Sequence, residues 1–547
     1  MDEYAFGYSS YSISKTGADE YGKFLPVITE SFGDYKLALY SYFLLPFIKI
    51  FGLSEAVVRL PSVAVGLATI VLIYFFIKEY LGNKTVALLT SLLVLISPWH
   101  VVFSRTANEA AIQVFLIVVF FLFWVYYQKR KKAVFGVIAI ISLCLSIISY
   151  YSSFVFIPIL VFFFTILHKD KFTKNKYVPI ASVLAVMILI FISQPLSRIQ
   201  QTSFFKHEEM KSLIVEALEE EGPAKNLFLT RFFHNKVSMS SLLILRNYFQ
   251  HFTFDFLFLS GDKNYGRYSI PYTGPLYLWE LPFIVIGLYF CFYSVARKKD
   301  LRYLFVIIWI LLAFIPDSLS YMDTNTQRTA IVTPMIQLTT VLGLVLTWGF
   351  IKKQNIFWQF LFILPFTAIA FYNYTSFIHN YFVHQKMHQS WQRDGYAREM
   401  IETINTLSSR YQKIVISGSQ PHLFFFYNKT DPRLTAKILK SKTLDSTGLN
   451  SIAGFDKYIF MPLNCPKKGK LGVLYVCRGN KVAYNTSILK VIRYPDNQPA
   501  RIFLTFTEPT QPAQKKEPER ISWFTETIQD PKIIPDNAER YWEEETH

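Results

Sequence analysis

The chain has 547 residues, 52% hydrophobic and 17% aromatic, with only 17% charged. Soluble domains carry about 25% charged residues, and apolar blocks near twenty residues recur through residue 376, so a polytopic membrane protein is expected. The net charge of +17 sits largely in short loops beside apolar blocks. That is a topology signal, and it excludes nucleic acid as a partner.

In chain order, residues 1–54 form a polar, aromatic-rich first loop ahead of the membrane spans. Asp2-Glu3 opens it, and by itself reads as a solvated end or a helix cap. Gly33-Asp34-Tyr35-Lys36 follows, and its bland reading is a turn with Asp34 capping the next helix. Residues 37–51 are apolar but short, which predicts an interfacial helix. Arg59-Leu60-Pro61-Ser62 lies in the first turns of a span, where an arginine either snorkels or meets an anion.

Spans are expected near 56–78, 84–101, 110–128, 133–151, 153–167, 177–195, 276–296, 301–317, 330–350 and 356–376. Ser97-Pro98-Trp99-His100 ends the second. Ser104-Arg105 and Glu109 lead into the third, where Arg105 and Glu109, four apart, would share a helix face as an ion pair or as part of a site. Phe120, Phe121, Phe123 and Trp124 suit lipid-facing packing or a groove for a lipid chain. Gly261-Asp262-Lys263-Asn264 and Arg267 close a long loop, 196–275, and Arg328 begins a later span. The basic loops at 128–132, 168–176, 297–302 and 352–353 fall on one side when the spans alternate. That side is the cytoplasm, and the motif-bearing loops fall outside.

His384 and His388 have an i, i+4 spacing that can hold a metal, but no acidic motif is near, and an interfacial role is the simpler reading. Residues 385–507 read as a small α/β domain, with a helix at 397–407, strands near 413–417, 457–460 and 472–476, and a helix at 421–427. Cys465 and Cys477 could pair if this domain is extracytoplasmic. Residues 508–547, rich in Pro, Glu, Lys and Thr, are expected to be disordered.

Together these motifs resemble bacterial membrane glycosyltransferases related to the protein O-mannosyltransferases and the lipid A aminoarabinose transferase. Asp2-Glu3, Gly33-Asp34-Tyr35-Lys36, Arg59-Leu60-Pro61-Ser62, Ser97-Pro98-Trp99-His100, Ser104-Arg105 with Glu109, Gly261-Asp262, Trp279-Glu280-Leu281-Pro282 and Arg328-Thr329 carry the likeness, in order, over residues 1–430. The resemblance implies an α-helical polytopic GT-C-like fold, here with the small C-terminal extracytoplasmic α/β domain, in the plasma membrane. It implies a polyprenyl-phosphate sugar as donor, and a protein, lipid or glycan hydroxyl as acceptor. Asp2, or Glu3, would be the base. Lys36, Arg59 and Arg328 would hold the donor phosphate. Asp34, Glu109 and Arg105 would orient the acceptor, Lys36 or a divalent ion, the metal being left open. Members of that family have a membrane helix before the acidic pair, so a missing first span is expected here. Rival readings are a transporter or flippase of lipid-linked saccharides, and an inactive membrane scaffold.

Overall fold

A computed structural model describes residues 2–31, 34–168, 175, 177–193, 214–216, 219–220, 232–262, 269–320, 324–390, 394–418, 421–440, 443–444, 450–461, 465–466, 469–479 and 485–507. The tail 508–547, most of the 196–275 loop before residue 232, and Lys263, Asn264 and Arg267 lie outside them. Contacts divide the chain into two units. The first is Met1–Asp394 with Pro421–Ile452, and the second is Gly395–Gln420 with Ala453–His547.

The first unit is helical. It opens with α1 (Asp2–Thr16), a hairpin of β1 (Ile28–Ser31) and β2 (Asp34–Leu37), and α2 (Leu39–Phe51). Asp34 is paired with Ser31 in that hairpin, and Ala38 takes the N-cap position of α2, so Asp34 is a strand residue rather than a helix cap. The membrane series follows as α3 (Glu55–Leu81), α4 (Lys84–Ile96), α5 (Pro98–Arg105), α6 (Glu109–Arg130), α7 (Ala133–Ile147), α8 (Ser153–Leu167) and α9 (Val178–Ser193). Then come α10 (Lys236–Gln250), α11 (Leu281–Lys298), α12 (Leu301–Ala313), the single-turn α13 (Ile315–Ser318) and α14 (Thr326–Thr329), α15 (Thr333–Ile351) and α16 (Ile356–His379).

Local chemistry sets the ends of these helices. Ser54 caps α3 by accepting from Val57 N, and Gly82 closes it in the left-handed region, where glycine has no Cβ penalty. Asn108 caps α6 by accepting from Ala110 N. Each expected span is helical, the second being broken at Ser97 into α4 and α5, but not each is long enough to cross a bilayer. Among the described residues six helices have the length and apolarity to cross, or seven if α4 and α5, bent by 58°, count as one. α7, α8 and α9 have 15, 15 and 16 residues, short of the roughly 20 that a 30 Å hydrocarbon layer requires.

The core lies between the helices. Phe121 packs against Phe164, Trp309, Phe305 and Phe76 at ring separations of 4.8 to 6.0 Å, and Phe120 and Trp124 are equally buried. These three side chains face the protein interior, contrary to the lipid-facing expectation. α11 and α15 touch backbone to backbone: a Cβ on Gly287 would lie 2.0 Å from Thr339 O, and one on Gly343 2.0 Å from Phe283 O. Small residues allow this approach without a hydrophobic drive between helices.

From the C-terminal part of the chain, α18 (Pro421–Tyr427) and α19 (Pro432–Leu439) belong to the first unit. The second unit holds α17 (Ala397–Leu407) and a mixed six-stranded sheet. Its strands are β3 (Lys413–Ser417), β4 (Gly454–Phe455), β5 (Tyr458–Met461), β6 (Val473–Cys477), β7 (Thr486–Arg493) and β8 (Pro499–Phe506), ordered β4-β5-β3-β6-β8-β7. β3 is parallel to both β5 and β6, with β8 and β7 antiparallel beyond. Cys465 and Cys477 are bridged by a disulfide.

Candidate active site

Asp2 is described by its backbone, which opens α1, and Asp34 by its backbone in β2. Glu3 is half-buried and held by two partners. Arg59 donates from Nε to Oε1 and Oε2 at 2.9 and 3.0 Å, and from Nη2 to Oε2 at 2.7 Å. Ala107 N donates to Oε1 at 3.0 Å. Arg59, expected against a phosphate, is therefore engaged with the carboxylate expected as an alternative base. A bidentate guanidinium–carboxylate pair fixes direction as well as distance. It ties α1 to α3 and to the α5–α6 junction.

A hydrogen-bond spine draws the remaining motifs together. Tyr40 OH contacts Ser62 Oγ at 3.1 Å and donates to Val58 O. Asn108 N donates to Ser62 Oγ at 3.1 Å, and Gln327 Nε2 donates to Asn108 Oδ1 at 3.0 Å. Ser62 lies one turn beyond Arg59, Asn108 precedes Glu109, and Gln327 precedes Arg328, so the three motifs meet at one end of the bundle. Tyr150 and Tyr151, consecutive residues between α7 and α8, add a second link. Tyr150 hydrogen-bonds with Arg328, and Tyr151 OH donates to Tyr35 O at 3.0 Å. Adjacent Cα atoms are about 3.8 Å apart, so one loop links the Arg328 side chain to the backbone of Tyr35, the residue before Lys36. Lys36 is buried, with Nζ 5.0 Å from the Phe6 ring centre.

Arg105 and Glu109 do not share a helix. Arg105 ends α5, Glu109 begins α6, and Thr106 to Asn108 lie between in extended or irregular backbone. Arg105 instead donates from Nη1 to Gln385 Oε1 at 2.8 Å and lies 4.7 Å over the Tyr381 ring. His384 packs edge-on against Tyr272 and His379. Among the described residues no group of three or more His, Cys, Asp or Glu side chains could hold a metal ion.

Several participants carry little signal in the sequence. Asp262 is fully buried and accepts from Thr326 N and Oγ1 at 2.5 and 3.1 Å, fixing the start of α14. Burial pushes its carboxyl up to about 8. Asp317 and His251 lie behind Arg328, and only the position of Asp317 at the end of an apolar span hinted at it. α18 and α19 pack on α1: Tyr8 OH donates to Thr430 O at 2.9 Å and meets Thr435 Oγ1 at 2.6 Å. Tyr427 donates to Glu55 and lies 3.2 Å from Tyr4 OH. No spacing in the sequence joins residue 427 to residue 4.

Residues 38–197 match the dolichyl-phosphate-mannose-protein mannosyltransferase family. That stretch contains Arg59, Ser62, Arg105, Asn108, Glu109 and Tyr150. No curated protein sequence matches the chain. Among solved structures, ArnT from Cupriavidus metallidurans bound to undecaprenyl phosphate is similar with a TM-score of 0.49 and 13% identity, over 94% of this chain and 95% of that one. The archaeal oligosaccharyltransferase AglB from Archaeoglobus fulgidus, in complex with an inhibitory peptide and a dolichol-phosphate, is similar with a TM-score of 0.45 and 13% identity, over 79% of this chain and 60% of that one.

Proposed function

We propose that the protein is a membrane glycosyltransferase that moves a sugar from a polyprenyl-phosphate donor to an acceptor hydroxyl on a protein, lipid or glycan. The observation that carries this reading is the family match over 38–197, which spans Arg59 and Ala107, bonded to Glu3, and Tyr150, bonded to Arg328. In the reaction the acceptor oxygen attacks the anomeric carbon as the bond from that carbon to the phosphate oxygen breaks. The bond's electron pair leaves with the phosphate. Lys36 and Arg328 stabilise the charge developing there. Asp2 takes the acceptor's proton, and single displacement inverts the anomeric carbon. Arg59 and Glu3 serve as the anchor that holds Asp2 at the site, while Asp34, Glu109 and Arg105 orient the acceptor.

The site is assigned to the extracytoplasmic face of the plasma membrane. The basic loops at 128–132, 297–302 and 352–353 support that orientation, and the Cys465–Cys477 bridge suits an oxidising compartment. The test uses purified protein with undecaprenyl-phosphate hexose and pentose donors and measures release of undecaprenyl phosphate. Release that is lost in Asp2→Asn, Lys36→Ala and Arg328→Ala is expected. Intact donors throughout, with uptake of the same lipids by proteoliposomes, would replace this reading with a transporter.

A further inference from the structure

Arg328 reaches the site from a buried polar cluster. Its Nη1 donates to Asp317 Oδ1 at 3.1 Å, and its side chain is 21% exposed, whereas that of Asp317 is 0% exposed. Asp317 Oδ2 also accepts from Asn325 N at 2.6 Å and meets His251 Nε2 at 2.8 Å. His251 is likewise 0% exposed and lies between the rings of Phe256 and Phe314. Its second nitrogen, Nδ1, is 2.8 Å from Asn247 O.

The protons of this cluster can be counted. A carbonyl oxygen only accepts, so Nδ1 of His251 carries a hydrogen. The contact from Nε2 to a carboxylate oxygen needs another. His251 and Asp317 together therefore hold one proton more than a neutral imidazole and a carboxylate would, and the pair is neutral as a whole. Asp317 orients the Arg328 guanidinium without cancelling its charge, because His251 already balances the carboxylate. Among the described residues Asp262 is a neighbouring acid, with both oxygens engaged by Thr326 and its carboxyl pushed up to about 8 by burial. A buried ionic cluster adds little stability over apolar packing, and this one fixes the direction of the Arg328 guanidinium through Asp317 Oδ1.

We propose that Asp317 and His251 are positioning residues that hold Arg328, with its positive charge preserved, toward the phosphate group of a lipid-phosphate ligand. This rests on the glycosyltransferase reading of the site. The probe is undecaprenyl phosphate, with binding to the full-length protein in detergent measured beside donor KM and kcat. His251→Gln keeps a hydrogen bond to Asp317 but cannot carry the extra proton, so the carboxylate then cancels Arg328. Asp317→Asn turns an amide NH2 toward either Arg328 or Asn325 N. Both variants are expected to weaken undecaprenyl phosphate binding and raise donor KM by roughly 10- to 100-fold, the range for hydrogen bonds to charged groups, with kcat changed much less. In an Arg328→Gln background, His251→Gln should add nothing further.

If both variants bind undecaprenyl phosphate as the wild type does and lose only thermal stability, the positioning role is overturned. Weakening that persists undiminished in the Arg328→Gln background also overturns it, since the effect would not pass through Arg328. If the wild type itself neither binds undecaprenyl phosphate nor cleaves a donor, the glycosyltransferase reading falls, and this inference with it. Should His251→Gln fail to fold, Asp317→Asn decides between the first two outcomes.

Discussion

Gly7 lies in the middle of α1, one turn after Glu3, and has no room for a side chain. An alanine Cβ there would sit 2.6 Å from Phe426 Cε2 and 2.7 Å from Val58 Cγ2. Carbon atoms in contact rest at about 3.5–4.0 Å, and Phe426 and Val58 are themselves buried, so a shift of α1 by about 1 Å relative to α3 and α18 is the expected response. Overpacking of this kind costs about 1–3 kcal/mol, offset by about 1 kcal/mol from replacing a mid-helix glycine with alanine. The net loss of stability in Gly7→Ala is therefore small, about 0–2 kcal/mol. Catalysis should suffer more, because α1 carries Asp2 and Glu3, and a misplacement near 1 Å can cost about 10²-fold in rate. The assay is donor cleavage beside thermal unfolding in the same detergent. A second change, Phe426→Leu, removes the ring that collides and should recover part of the lost rate. Wild-type turnover in Gly7→Ala would refute the claim that α18 and α3 set the position of α1 for chemistry.

Three further outcomes are expected. Gly343→Val meets the backbone oxygen of Phe283, 2.0 Å from the Cβ position, and backbone cannot yield as a side chain can. It should cost more than about 3 kcal/mol and show as lost monodisperse protein in gel filtration, whereas an unchanged elution profile would contradict the close α11–α15 contact. Arg59→Lys retains charge but loses the two-pronged hold on Glu3. With the pair 40% and 25% exposed, the stability change should stay below about 1 kcal/mol while the transfer rate falls by about 10²-fold; a lower melting temperature with full activity would refute the anchoring role. Glu20 is fully buried beside Ser9, and burial raises its carboxyl from 4.5 to about 8. The folded state then keeps a proton that the unfolded chain releases, so this contribution is complete below pH 4.5, declines as pH rises toward 8, and is gone above it. Glu20→Gln should flatten that decline in melting temperature between pH 5 and 9, and parallel curves for the two proteins would contradict the assignment.

The membrane class and most helix positions were legible in the sequence, because hydropathy and capping residues are local signals. Ser54, Asn108 and Gly82 mark helix ends through bonds and dihedral angles within a turn of their own positions. The hairpin that takes Asp34 out of a helix cap, and the break between Arg105 and Glu109, are less local. Both depend on how neighbouring segments pair, and a spacing of four residues does not reveal a helix ending between them.

The partners of the site residues were not legible at all. Arg59 was expected against a phosphate and instead holds Glu3 across 56 residues of sequence. Tyr427 reaches Glu55 across 372, and His251 meets Asp317 across 66. Sequence alone determined that this chain enters a membrane and that carboxylates and cations lie in the short polar motifs beside its apolar blocks. Tertiary structure alone decided which carboxylate meets which cation, and that a segment near residue 430 steadies α1. The physical reason is range: hydrophobicity and capping act over one or two turns, whereas an ion pair depends on where two distant segments are packed.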